Sequence, residues 1–549
     1  MLFSFIYPGT SVAVAPLFHQ QKTRRICMKR YASLFSVLML VCAATLSFSA
    51  QAEEMKKAKY VMLFIGDGMA MAQRYAAELS LSNGAIDMNR PQLLMNTFPA
   101  QGLDTTFDLT SIIPDSSSTG TAIASGFKTE SSVLGTDPTG EIKYKSIAET
   151  AKEKGWKVGI LSTVSLDHAT PAVFYAHQKS RNSMYEISME LANSGFDFFG
   201  GGQLKSPTSK EEGKPNALDT AKANGYTIAM GRAELEALKP GAGKVIAMND
   251  LVDSDAAMYY TIDQPEGYVT IAEYTAKAIE LLDNPDGFFM MVEGGKIDWA
   301  CHANDAAAAI QDTLAFDAAI AEGMKFYEKH PDETLIIVTG DHETGGLSIG
   351  YAGTKYSSYI SKMKNQKVSY LGFNAKLEEF KKANPAAKFE DVLPLIKEAF
   401  GLYVLSAEEK ATLKAAIDAG KAKDAADDVK KAAKEAENTL KYGLALTDAD
   451  LAILQDAFAV SMLAKDARPA DDVAYVQYGG YEPLTVKLTT ILAEKAGIGW
   501  SSYSHTGGIQ QTSAIGAGAE LFNGYYDQTD IYKKMMTAAG FELTTASAE

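Results

Sequence analysis

Ser116, in the stretch Ile113 to Ala122 reading IPDSSSTGTA, is the residue of this chain best placed to act as a nucleophile. An acid, Asp115, precedes it, and Ser117, Ser118, Thr119, Gly120 and Thr121 follow. Small neighbours let a ligand approach closely, and free N–H groups at a helix start favour an anion. A serine hydroxyl is a weak nucleophile until something helps remove its proton. No histidine stands near it in sequence, so that help has to come from elsewhere in the chain.

The other reactive residues stand where apolar runs end. Tyr60 to Ile65 (YVMLFI), Phe288 to Val292 (FFMMV) and Leu335 to Thr339 (LIIVT) have the length and apolarity of buried strands. They run into Asp67, Glu293 and Asp341. Open α/β sheets place their ligands beyond the carboxyl ends of strands. Two of these acids have a plainer alternative: Asp67 as a helix cap, Asp341 as the cap of a turn. Asp298 and His302 are four residues apart and share one helix face, for one metal or for an ion pair. His342 adjoins Asp341 in GDHETGG, His505 lies in SHTGG, and His168 and Thr170 follow the strand-like Val158 to Thr163. Arg181 lies in HQKSRNS. Several acids meeting at one sheet edge need a counter-charge. Asp and His ligands without cysteine suit zinc, and Asp, Glu and Thr oxygens suit magnesium. A bound cation lowers a hydroxyl's pKa, and an arginine fork matches a tetrahedral phosphate. Nucleophile, metals and arginine together indicate phosphoryl transfer.

These residues need an α/β fold to meet: a central, mostly parallel β-sheet sandwiched by helices, with a helical surface insertion. Helices are predicted over Ala70–Ser80, from Ser116 to Ser125 with Gly126 as the stop, over Ile147–Lys154 and over Ile271–Leu282. Phe196–Phe199 and Val245–Met248 read as further strands, while Ser206 to Lys244 is polar with little periodicity. Between about 350 and 480 the chain changes character. Helix-start signatures stand at Ser406–Glu409 and Thr447–Asp450, and no histidine occurs. This part is expected to be an inserted set of surface helices, a lid or an association element, within a single domain spanning 53–549.

The 549 residues carry a net charge of −16, which argues against a nucleic-acid-binding module with a broad basic face. Lys29 and Arg30, the apolar Leu34 to Leu46 and Ala50-Gln51-Ala52 read as a signal peptide over 1–52, with Met28 as a second candidate start. Its apolar run is too short for a stable membrane span, and a periplasmic or secreted protein is expected. Cleavage after Ala52 leaves Cys301 as the sole cysteine, so no internal disulfide forms.

The order of IGDGM, DSSSTGTA, His-Ala-Thr-Pro, HQKSRNS, EGGKIDWACH, TGDHETGG and SHTGG resembles the alkaline phosphatase family along nearly the whole mature chain. The resemblance implies a phosphomonoester hydrolase that releases inorganic phosphate and an alcohol through a phosphoserine at Ser116. Arg181 matches the residue that clamps phosphate oxygens, with Asp115 as its orienter. Two zinc ions and one magnesium are implied: Asp298, His302 and His505 for the first zinc, and Asp67, Asp341 and His342, with Ser116 in reach, for the second. Asp67, Thr170 and Glu293 match the magnesium ligands. His168 and Trp299 stand where some bacterial relatives carry aspartate and lysine. The pair resembles the animal and cold-marine bacterial branches, and His168 then meets the third metal either directly or through water. In cold-marine relatives a long loop can embrace the partner of a homodimer, and a homodimer is expected here. Two other functions compete: a metal-dependent phosphodiesterase of the same superfamily, and a non-catalytic exported binder of phosphate or metal.

Overall fold

Seven consecutive residues of β1, Tyr60–Gly66, are all buried, and the two faces of this strand feed separate layers of core. Val61, Leu63 and Ile65 join a cluster with Ile123, Ile147, Ile531 and Tyr532. Tyr60, Met62 and Phe64 point the other way, into a cluster with Tyr274, Phe316 and Ile320. This is the two-residue alternation of a strand covered by helices on both sides, as parallel sheets require. Fully burying one such side chain contributes about 1.5–3 kcal/mol, so the centre of the sheet is a stiff platform.

The computed structural model describes residues 56–85 and 87–543. The other long strands are β2 (Ala100–Thr105), β3 (Lys157–Ser162), β4 (Phe198–Gly201), β5 (Tyr226–Met230), β6 (Lys244–Met248), β7 (Phe288–Glu293) and β8 (Thr334–Gly340). Four two-residue strands follow: β9 (Glu343–Thr344), β10 (Ser348–Ile349), β11 (Ile498–Gly499) and β12 (His505–Thr506). The last two are β13 (Gln510–Gly516) and β14 (Gly524–Asp527). Ten of these strands form one sheet in the order β14-β2-β13-β8-β1-β7-β3-β4-β6-β5. Only β13 runs antiparallel to its neighbours β2 and β8. β1 is flanked in parallel by β7 and β8, with Ile65 opposite Glu293 and Gly66 opposite Gly340. The register therefore brings Asp67, Glu293 and Asp341 to one end of three adjacent strands. The small pair β12–β9 sets His505 opposite Thr344 beyond that end.

The first long helix is Met71–Leu81, and its cap position is Ala70. Asp67 is therefore not its cap and is free for other work. The helix Ser116–Ser125 is capped by the Asp115 side chain, which accepts from the Ser118 N–H, and ends at Gly126 with φ 79°. Ile147–Glu153 and Ile271–Leu282 lie where the periodicity placed them. The stretch from 206 to 244 is better ordered than its composition indicated, with helices Ala217–Ala223 and Gly231–Ala237 around β5. β5 is the edge strand and only partly buried, so it shows no continuous apolar run.

Between 350 and 480 the chain forms helices Tyr370–Ala383, Phe389–Phe400, Ala407–Gly420, Asp427–Tyr442, Asp448–Ser461 and Asp472–Tyr478. Ser406 and Thr447 form the expected capping boxes. Phe373, Val392, Ile396 and Phe458 pack with Leu484, Leu488 and Leu492 of the following helix, Pro483–Ala496. The signal-peptide reading of 1–52, Met28 included, lies outside the described residues. Among the described residues no helix is long and apolar enough to cross a membrane, and Cys301 is a buried free thiol.

Candidate active site

Ser116 opens its helix and is 2% exposed. Its Oγ lies 3.0 Å from His342 Nε2. The same nitrogen stands 3.1 Å from Asp341 Oδ2 and 3.4 Å from Asp67 Oδ1. On the other side of the ring, Nδ1 is 3.3 Å from Thr344 Oγ1, whose hydroxyl donates to Asp298 Oδ1 at 2.5 Å. A hydroxyl that donates to a carboxylate receives on its lone pairs, so Nδ1 carries the ring proton and Nε2 a lone pair. That lone pair faces the Ser116 hydroxyl and two carboxylate oxygens, a set of donor atoms that also suits a cation. Asp341 is held in place through Oδ1, which accepts from the N–H groups of Gly68 and His342.

A second group repeats the logic. His302 Nδ1 donates to the Tyr503 carbonyl at 2.6 Å, and His505 Nδ1 donates to that of Pro114 at 2.7 Å. Carbonyls only accept, so in the neutral rings both Nε2 atoms keep the lone pairs a metal would take. They face each other at 3.2 Å, with Asp298 Oδ2 3.4 Å from His302 Nε2 and Asp298 Oδ1 3.7 Å from His505 Nε2. Asp298 and His302 do share one helix, Lys296–His302.

Asp67, His168 and Glu293 form a third group whose ligand atoms lie within 4.8 Å of one another. Thr170 Oγ1 donates to Asp67 Oδ2 at 3.1 Å, and Ser162 donates to Glu293 Oε2. Asp67 Oδ1 and Glu293 Oε1 are buried without any hydrogen-bond partner. Buried carboxylate oxygens with lone pairs to spare suit a cation. Burial, with Asp341 adding to it, pushes the Asp67 carboxyl well above its usual range. Burial also pushes Asp341 up to about 8 and Glu293 up to about 7. Asp298 goes the other way: burial would raise it, but His302 and His505 beside it hold it well below. Proximity also joins Asp298 to Asp67 and His342. Asp298 thus borders two groups, and Asp341 completes the second at 3.1 Å. The donor chemistry of all three groups fits divalent metal ions.

Arg181 is held at both ends of its fork. Nη1 donates to Asp115 Oδ2 at 3.0 Å and Nη2 to His168 Nε2 at 3.2 Å. Burial would raise the Asp115 carboxyl, but Arg181 holds it below its usual range. Arginine can only donate, so His168 Nε2 accepts and its ring proton sits on Nδ1, which is buried and unpartnered. Burial and Arg181 push the His168 pKa down to about 3, so the ring is neutral. Ser116, His168, Arg181, Asp298, His302 and His505 all line one pocket of about 380 Å³. The fold thus brings the candidate site residues together at the carboxyl ends of the central strands β7, β1 and β8.

Other members of the site gave weaker signals. Thr344, two residues after His342, fixes that ring. Ser162, at the end of an apolar run, holds Glu293. The carbonyls of Tyr503 and Pro114 set two tautomers and have no side-chain signature at all. Tyr370, Tyr481 and Asp255 also line the pocket.

Carboxylates and imidazoles gathered around a helix-start serine, at the carboxyl ends of a parallel sheet, define an α/β protein equipped to set cations against an anionic ligand. The model of the family described as alkaline phosphatase matches residues 58–442, and the chain belongs to the alkaline phosphatase family of enzymes. Alkaline phosphatase 3 of Bacillus subtilis (strain 168) is 27% identical over 507 residues, 90% of this chain and 93% of that one. Alkaline phosphatase 4 of the same strain is 32% identical over 324 residues, 56% of this chain and 66% of its own length. Among solved structures, the cold-active alkaline phosphatase from the psychrophile Shewanella sp. has a TM-score of 0.63 at 25% identity, covering 87% of this chain and 99% of that one. The Thermus thermophilus enzyme shares the fold at a TM-score of 0.63 and 23% identity, over 90% of this chain and 95% of its own.

Proposed function

We propose that the protein hydrolyses phosphomonoesters by two in-line displacements, with Ser116 phosphorylated between them. One observation carries this reading: Ser116 Oγ lies 3.0 Å from His342 Nε2, in a pocket that Arg181 also lines. Asp298, His302 and His505 would hold one zinc, and Asp67, Asp341 and His342, with Ser116, a second. Asp67, Thr170 and Glu293 would hold magnesium. When bound, such ions lower the pKa of a hydroxyl and offset charge developing on the phosphoryl group.

In the first displacement Ser116 Oγ gives its proton to water and attacks phosphorus. The bond to the alcohol oxygen breaks on the opposite side, and the alcohol leaves with a proton taken from water. Arg181, oriented by Asp115, holds two phosphoryl oxygens through its fork. In the second, water attacks the phosphoserine from the side the alcohol vacated and gives up a proton to solvent, the bond from phosphorus to Ser116 Oγ breaks, Ser116 takes a proton back from water, and phosphate departs. Two inversions give net retention at phosphorus. His168 gives its Nε2 lone pair to Arg181 and carries a proton on Nδ1, which favours contact with the third metal through water over direct ligation.

The test is a labelled phosphomonoester quenched in acid. Label is expected on the wild-type, metal-loaded protein and not on Ser116→Ala. An unlabelled wild type would favour the non-catalytic binder. Matched monoester and diester substrates decide the remaining alternative: faster diester turnover, little harmed by Arg181→Ala, would overturn the monoesterase reading. Metal analysis of the purified protein should return two zinc ions and one magnesium ion.

The protein is further read as an exported homodimer with a helical insertion at about 350–480. Export rests on the composition of residues 1–52. Dimerisation is supported by exposed apolar side chains on the loop leading to Ser116, Phe107, Leu109, Ile112 and Ile113, with Ile112 79% exposed and Ile509 nearby in sequence to His505. Large apolar side chains exposed along one loop fit an interaction site. Sedimentation should give a dimer for the wild type and a monomer for Ile112→Glu. A wild-type monomer would end this reading.

A further inference from the structure

Ser116 and Arg181 fix where the phosphoryl group lies, and in-line attack puts the leaving oxygen opposite Ser116 Oγ. Since Ser116 is 2% exposed at the pocket floor, the alcohol must occupy the outer part. The walls of the pocket include Tyr370, Tyr481 and Trp299. Tyr370 opens the helix Tyr370–Ala383, and Tyr481 follows the Gly479-Gly480 turn that ends Asp472–Tyr478. The start of the first long helix of the 350–480 segment and the residue just after that segment therefore meet at the pocket.

These rings are fixed before any substrate arrives. The Tyr370 N–H donates to Asp305 Oδ2 at 2.8 Å, and the Tyr260 hydroxyl donates to that of Tyr370 at 3.4 Å. The Tyr370 ring stands edge-on to Tyr260 at 5.6 Å and to Tyr481 at 5.7 Å. The row continues through Tyr503, at 6.4 Å from Tyr481, whose carbonyl holds His302. Beneath it, the Lys296 ammonium is tied to Asp253 at 2.6 Å and lies 4.0 Å from the Tyr260 ring centre and 4.7 Å from that of Trp299. Lys296 is 1% exposed, so this cation braces both rings from inside.

We propose that Tyr370, Tyr481 and Trp299 form a leaving-group subsite that selects phosphomonoesters of flat aromatic alcohols over those of aliphatic alcohols. The inference rests on the phosphomonoesterase reading above. Pre-fixed rings lose little freedom when a ligand docks, and aromatic pairs gain from edge and offset contacts beyond the area they bury. A short aliphatic alcohol in the same place offers no ring face or edge for these contacts.

The experiment compares phenylphosphonate with methylphosphonate as competitive inhibitors, and phenyl phosphate with ethyl phosphate as substrates, in the metal-loaded enzyme. Taking ratios between variants cancels the better leaving ability of phenol. In Tyr481→Ala the phenyl-over-methyl inhibition ratio should fall about tenfold, with the substrate ratio following it. Tyr481→Phe should keep both ratios. Tyr481→Leu, which preserves bulk, should behave like the alanine variant and serves if that one folds poorly. Inhibition by inorganic phosphate reports the shared phosphoryl site and should change less than about twofold. Unchanged ratios in active Tyr481→Leu and Tyr370→Leu enzymes would overturn the subsite alone. A wild type that turns over no monoester and binds neither phosphonate would overturn the phosphomonoesterase reading and the subsite with it.

Discussion

Thr344 decides, at the scale of one residue, what His342 can do. Its hydroxyl receives from His342 Nδ1 and donates to Asp298, so one side chain orients ligands of two neighbouring groups. Losing such an orienting partner costs about 10- to 100-fold in metal affinity. Thr344→Val should therefore lose zinc to a chelator at a correspondingly lower chelator concentration, followed by metal analysis after dialysis. Full zinc retention would remove Thr344 from this role. Asp115 acts on Arg181 in the same indirect way, through the 3.0 Å ion pair. Asp115→Asn keeps the shape but weakens the hold on the guanidinium. Inhibition by inorganic phosphate should weaken by about tenfold, the scale of one charge-assisted hydrogen bond. Unchanged phosphate affinity would count against Asp115 as the orienter.

At the scale of elements, the site depends on how closely the β1 end approaches the helix Lys296–His302. Gly68 follows Asp67 with φ +69°, and a Cβ there would come within 2.9 Å of the Asp298 Cα, Asp298 Oδ1 and Thr344 Oγ1. Both the backbone conformation and the space require glycine. Gly68→Ala should cost about 1–3 kcal/mol through backbone strain alone, and it should also lower zinc retention because Asp298 is displaced. Thermal unfolding with and without metal measures both effects. A loss of stability equal in the two conditions would show that the close approach matters to folding and not to the metal groups.

At the scale of the whole molecule, the buried carboxyls couple metal content to stability. In the metal-free chain Asp341 is pushed up to about 8 and Glu293 to about 7, from ordinary values of 3.8 and 4.5. The folded state then binds more protons than the unfolded one across that interval, so stability falls as pH rises through it. His302, raised to about 9 by Asp298 in spite of burial, acts in the same direction. Its contribution is complete below 6.5 and is lost as pH rises through about 9. Chelator-treated protein should melt at a lower temperature near about pH 8.5 than near about pH 5. Restoring divalent metal at the higher pH should raise the melting temperature most. A metal-free protein that melts higher at alkaline pH would contradict this account.

Much of the site could be read in the sequence because strand ends announce themselves. An apolar run that stops at an acid identifies both the strand and the acid, which is how Asp67, Glu293 and Asp341 stood out. The i to i+4 spacing of Asp298 and His302 follows from helix geometry alone. The edge strand β5 left no such mark, because a half-buried strand needs few apolar residues. Which acids become neighbours was decided only by the parallel register of β7, β1 and β8, set by pairings across more than two hundred residues of chain. The same holds for the histidine tautomers, fixed by the carbonyls of Tyr503 and Pro114 and by Thr344. It holds again for Tyr370 and Tyr481, which meet 5.7 Å apart only because the helices between them fold back on Pro483–Ala496. Sequence determined the chemical groups and the local elements that carry them, since both follow from short-range periodicity. Their distances, tautomers and shared pocket came from long-range packing, which no local pattern encodes.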